Sequence, residues 1–118
     1  MQKWCIIKNR KGVSRLAVNQ EVRKIAEIIR QSVPAEQIYL FGSHAYGKPH
    51  KHSDYDIYVI IPDDSLRPIE AMQQAQRAIY PLRLNVPVDV MATTRSDFNQ
   101  MKNLITLERT VNQRGILL

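Results

Sequence analysis

The stretch "LFGSHAYGKPHKHSDYDIYVI", residues 40–60, limits what this chain can fold into more than any other. An apolar run ends on Gly42-Ser43, a loop rich in Lys and His follows, and an alternating run then begins with Asp54 and Asp56. Alternation places Asp54, Asp56, Tyr58 and Ile60 on one side of a strand, and Tyr55, Ile57, Val59 and Ile61 on the other. The second set is an ordinary buried face. The first sets two carboxylates about 6.6 to 6.8 Å apart along one side. Brought to about 5 Å, such a pair repels by roughly 3 kcal/mol at an effective dielectric near 20. One carboxyl then keeps a proton, or a cation offsets the repulsion.

Carboxylate oxygens are the hard ligands that Mg²⁺ prefers, and with one or two of them bound the ion keeps positions open for water and phosphate oxygens. Asp89 lies in "VPVDVMA", a third strand-like run with Val88 and Val90 on the opposite side, and can complete a three-carboxylate set. Gly42 lets a backbone approach an anion closely. A helical turn over Ser43 to Tyr46 would present free N–H groups, and Ser43 adds a hydroxyl donor. The ordered combination reads as a site for a metal-bound nucleoside triphosphate.

Around this centre helix-like and strand-like segments alternate. Val18, Val22, Ile25 and Ile29 line one face of a helix from about Ser14 or Asn19 to Gln31, and Pro34 closes it. "QIYLF" predicts a short buried strand and "DYDIYVII" a second one. Pro68 opens a helix from about Arg67 to Tyr80. Two more helices are predicted at about Ser96 to Asn103 and Thr106 to Gln113, and the final "ILL" joins the sheet or the core. Met72, Met91 and Met101 are assigned to the core, and Asp63 and Asp64 to a turn and helix entrance. For Tyr58, nucleotide contact and packing against a helix both stay open. His50 and His52, among lysines, read as a solvated basic loop.

With 118 residues, 44% of them hydrophobic, the chain suits one domain, 19–118, preceded by a basic, partly disordered arm over 1–18. Residues 1–30 hold eight Lys and Arg against two acids, whereas residues 31–118 hold nine against nine. The net +6 therefore sits in the arm and first helix, where Trp4 alone could stack a base, so nucleic acid stays an open partner. Cys5 is the only cysteine, which excludes an internal disulfide. No run approaches the ~20 apolar residues of a membrane span, and a cytoplasmic setting without membrane contact is expected.

Phe41, Gly42, Ser43, Asp54, Asp56 and Asp89, in that order and spacing, resemble the minimal nucleotidyltransferases of the DNA polymerase beta superfamily, in particular the antitoxin-type members. The likeness runs from about residue 20 through "FGSHAYG", "SDYDIYVIIPDD", "PVDVM" and "LERTVNQRGILL". Many members carry Arg directly after Gly-Ser, where this chain has His44, and often Arg where it has Tyr46.

The resemblance implies an α/β (α+β) nucleotidyltransferase fold, a small mixed sheet with helices packed on one face. It implies that Gly42 and Ser43 hold the triphosphate of ATP, that Asp54 and Asp56 bind Mg²⁺, and that Asp89 binds a second metal or helps deprotonate the attacking hydroxyl. The implied reaction transfers AMP to a protein hydroxyl, a tyrosine of a cognate HEPN-type toxin, within a type VII toxin–antitoxin system. A homo- or hetero-oligomer would supply the acceptor surface, because no second domain is expected. Two other readings stand beside it: a small-molecule nucleotidyltransferase of the aminoglycoside-modifying kind, and an antitoxin that neutralises by binding alone.

Overall fold

The computed structural model describes residues 20–46, 54–104 and 106–118, with the backbone alone at 43 and 46. The basic arm over 1–18, with Cys5 and Trp4, the loop carrying His50 and His52, and the side chains of Ser43 and Tyr46 lie outside the described residues.

Helix α1 (Gln20–Ser32) buries Val22, Ile25, Ala26 and Ile29 on one face, which holds the predicted stripe from Val22 onward; Val18 lies outside the described residues. It carries Glu21 in its first turn and Arg30 in its last, both favourable to the helix dipole. Pro34 cannot donate the next backbone hydrogen bond, and the chain turns into β1 (Gln37–Phe41). Gly42 then leads into the single turn α2 (Ser43–Tyr46).

Strand β2 (Tyr55–Ile61) is buried at every position except Asp56. It pairs antiparallel with β1 and parallel with β3 (Val88–Thr94). Parallel neighbours need a crossover, here α3 (Pro68–Ile79) and a short 3₁₀ turn (Tyr80–Leu82). Pro68 occupies the first helical position, and Glu70 Oε1 accepts the Arg67 backbone N–H at 3.1 Å. Helices α4 (Arg95–Met101) and α5 (Leu107–Arg114) follow, started by Thr94 and Thr106, whose hydroxyls accept backbone N–H groups of Asp97 and Arg109. The final strand β4 (Ile116–Leu117) pairs with β1, so the terminal apolar residues do extend the sheet. The order is β3-β2-β1-β4.

The expectation of helices on one face needs correction. Helices α1 and α3 cover the face formed by Ile38, Leu40, Ile57, Val59, Ile61 and Val90. Phe98 of α4 and Val111 of α5 cover the other, formed by Tyr39, Tyr58 and Ile60. The reason lies in β2, which is apolar on both sides beyond Asp56, so a single helical layer would leave Tyr58 and Ile60 in water. Phe98 sits between the rings of Tyr39 and Tyr58, with centroids 6.3 and 5.8 Å away.

The methionines also depart from expectation. Met72 packs against the core, but Met91 and Met101 are 42% and 39% exposed. Met91 lies on the outer strand β3, and the one buried side chain of α4 is Phe98. Among the described residues no helix is long and apolar enough to cross a membrane.

Candidate active site

Register builds the site. Phe41 of β1 lies opposite Asp56 of β2, and Asp56 lies beside Asp89 of β3. Adjacent strands are about 4.8 Å apart and paired residues point to the same side, so Asp56 and Asp89 stand side by side. Asp54 directly precedes β2, two residues before Asp56 on the same side of the alternation. Asp89 is exposed, whereas Asp54 and Asp56 are half-buried.

The three carboxylates feel one another through Asp56. Its carboxyl is pushed above the ordinary carboxylate range first by burial, then by the charges of Asp89 and of Asp54, while His44 pulls the other way. A cation placed here would relieve both repulsions. Among the described residues no group of three or more His, Cys, Asp or Glu side chains is disposed to hold a metal ion outright. The carboxylates form an open row. Its all-oxygen donor set suits Mg²⁺, which binds through one or two carboxylates and completes its shell with water and phosphate oxygens.

Gly42 brings the backbone of the β1–α2 turn onto this row. Its φ is +77°, and a Cβ added there would run into Asp56 Oδ2 and lie 3.1 Å from Cγ and 3.3 Å from Cβ of the same residue. Glycine is thus required for both conformation and space. The Ala45 N–H donates to the Gly42 carbonyl at 3.0 Å and closes the predicted helical turn. Gly42 and Asp56, ten-odd residues apart across a loop, are therefore in contact distance of each other.

Tyr55 is buried as expected, but its link to Glu21 escaped the sequence reading. Tyr55, between the two aspartates, is buried on the opposite side of β2. Its hydroxyl donates to Glu21 Oε1 of α1 at 2.8 Å, and its ring lies 4.6 Å from that of His44, tilted by 56°. Alternation alone puts Tyr55 away from the carboxylates, and nothing in the pattern links it to Glu21, 34 residues earlier.

Tyr58 resolves toward packing. It is 1% exposed, its hydroxyl donates to Glu108 Oε2 at 2.6 Å, and burial pushes its phenol further toward the neutral form. Asp63 and Asp64 lie beyond the opposite end of β2. Asp64 takes φ +65° in the turn, and Asp63 accepts both the backbone N–H and the hydroxyl of Ser96. Both acids lie in the expected turn, ahead of α3, and Asp63 also anchors the start of α4, because β2 and β3 end side by side.

The mixed sheet thus sets Asp56 of β2 beside Asp89 of β3, with the glycine turn laid against Asp56. Residues 22–112 match the family model of the nucleotidyltransferase domain, and the chain belongs to that family. It is similar to the protein adenylyltransferase MntA of Shewanella oneidensis, with 39% identity over a 59-residue alignment that covers 48% of this chain. That stretch spans only 42% of the relative's length. Among solved structures, a chain of a toxin–antitoxin complex with AMP-PNP is 27% identical at a TM-score of 0.57, covering 84% of this chain and 72% of the other. A chain of an MntA–HpeT toxin–antitoxin mutant is 26% identical at 0.56, with the same coverage. A nucleotidyltransferase-like protein from Sulfolobus solfataricus, at 20% identity and a TM-score of 0.54 over 92% of this chain, shares the fold.

Proposed function

We propose that this protein transfers AMP from ATP, with Mg²⁺, to a hydroxyl of a partner protein, a tyrosine of a HEPN-type toxin, and so acts as an antitoxin. The observation that carries the reading is the Gly42 backbone lying directly against Asp56, itself in register with Asp89. The likeness to a protein adenylyltransferase and to a toxin–antitoxin chain crystallised with AMP-PNP supports it. So does the MntA–HpeT mutant, which carries glutamate at two aspartates set two positions apart, the spacing of Asp54 and Asp56.

In this reading Asp54 and Asp56 hold Mg²⁺, with Asp89 at the side of the row. Bound there, the ion would neutralise triphosphate charge and favour in-line displacement. The Gly42-Ser43 turn carries the phosphates, since no side chain at 42 stands between backbone and ligand. The acceptor oxygen attacks the α-phosphorus, a new P–O bond forms, and the α-phosphorus bond to the bridging oxygen breaks to release pyrophosphate. Asp89 takes the hydroxyl proton. It is the carboxylate of the row most open to solvent, and hence to an acceptor arriving from outside.

The test incubates the protein with α-labelled ATP, Mg²⁺ and the product of the neighbouring gene. Label should appear on that protein with the wild type and vanish with Asp54→Asn/Asp56→Asn. No label from the wild type, with neutralisation intact in the double variant, would replace enzymatic action by binding alone. Label on a free aminoglycoside instead would assign a small-molecule acceptor.

A further inference from the structure

Tyr55 is where the elements carrying the site meet. Its backbone sits between Asp54 and Asp56, and its N–H donates to the Pro87 carbonyl at 3.0 Å, tying the start of β2 to the chain just before Asp89. Its ring backs His44 of α2, the turn that follows Gly42. Its hydroxyl is held by Glu21 in the first turn of α1. Tyr55, 4% exposed, thus joins the carboxylate strand to the β3 start through its backbone, and to the glycine turn and to a helix that contributes no site residue of its own through its side chain.

We propose that Tyr55 is a positioning residue that fixes the glycine turn relative to the carboxylate row, with Glu21 as its anchor. The inference rests on the nucleotide-binding reading above. The link to Pro87 uses backbone alone and would survive substitution, whereas the contacts to His44 and Glu21 belong to the side chain. The turn α2 is only four residues long, too short to hold its shape by helix formation alone, so its placement depends on what backs it. Glu21 restrains the tyrosine ring through a charge-assisted hydrogen bond, which is shorter and stronger than a neutral one. Phenylalanine at 55 keeps the ring behind His44 and frees it from α1. Leucine loses both contacts.

Calorimetry with AMP-PNP and Mg²⁺ reads the site, and amide exchange of Ala45 against Val59 in nucleotide-free protein reads the turn. Tyr55→Leu should weaken AMP-PNP binding about tenfold and Tyr55→Phe about threefold, the range expected for losing a buried contact and one hydrogen bond. Glu21→Gln, which still offers an oxygen, should stay within about twofold of wild type. Ala45 should exchange faster in Tyr55→Leu while Val59, within the sheet, does not change. Ile29→Val, which removes a buried methylene from the core side of α1, should leave AMP-PNP affinity unaltered and so separates positioning from general loosening. Wild-type affinity in Tyr55→Leu, with or without faster Ala45 exchange, would overturn the proposal. If the wild type fails to bind AMP-PNP, the nucleotide reading falls by itself. Ala45 exchange then decides: faster in Tyr55→Leu, Tyr55 holds the turn; unchanged, it does not.

Discussion

Gly42→Ala tests the site and its packing together. At φ +77° an L-residue carries the left-handed penalty of about 1–2 kcal/mol. The new methyl also meets Asp56, and rotation of that side chain clears Oδ2 and Cγ but not Cβ, 3.3 Å away. Overpacking of this kind costs about 1–3 kcal/mol. The sum, about 2–5 kcal/mol, corresponds to a Tm lower by roughly 8–20 °C in a domain of this size. Calorimetric melting of Gly42→Ala, Asp56→Ala and the double variant divides the two costs. Asp56→Ala removes the Oδ and Cγ overlap and leaves the backbone penalty, so the double variant should be at least about 1 kcal/mol more stable than the singles add up to. AMP transfer should fall in Gly42→Ala because the methyl displaces the Asp56 carboxylate. A melting point within about 2 °C of wild type, or a coupling below about 0.3 kcal/mol, would refute the contact between Gly42 and Asp56.

Other consequences can be read from single substitutions. Because Asp56 is held above the ordinary carboxylate range, the native state binds its proton more readily than the unfolded chain does. In metal-free protein its contribution to stability therefore falls as pH rises from the ordinary value through the raised one. The melting-point gain of Asp56→Asn over wild type should grow from about pH 4 to pH 7 in EDTA, and a constant difference would contradict this. Phe98→Ala should cost about 3–5 kcal/mol in urea denaturation, since a ring 1% exposed between Tyr39 and Tyr58 leaves a cavity. Asp63 lies below the ordinary range because Ser96 donates to it twice, so its stabilising effect is present above that range and lost as pH falls through its lowered value. Asp63→Asn should thus shrink the acid-side loss of stability, measured by melting temperature against pH.

Much of the fold is legible in the sequence because periodicity is a property of local backbone geometry. The α1 stripe, the alternation of β2, Pro68 at the start of α3 and the single turn after Gly42 all follow from spacing and from what glycine and proline permit. Met91 and Met101, unlike Met72, were misread for a related reason. Apolar spacing says that a residue can be buried, but Met91 lies on an outer strand and Met101 at the end of a helix already seated through Phe98. Asp63 lies in the turn expected for it, but its partner at the start of α4 was not legible, because parallel pairing of β2 and β3 brings Ser96 to it, 33 residues along the chain.

The sequence by itself therefore determined which residues could share a side: Asp54 with Asp56, and Tyr58 with Ile60. It could not determine what stands next to them. That Asp89 aligns with Asp56, that Gly42 lies on the Asp56 carboxylate, that α4 and α5 close the second face, and that Tyr55 reaches both Glu21 and His44 were decided by tertiary structure. The physical reason is register. A one-residue slip between β2 and β3 keeps every local pattern intact yet turns Asp89 to the other side, and only the packing of α3 and the two buried faces of β2 select one alignment.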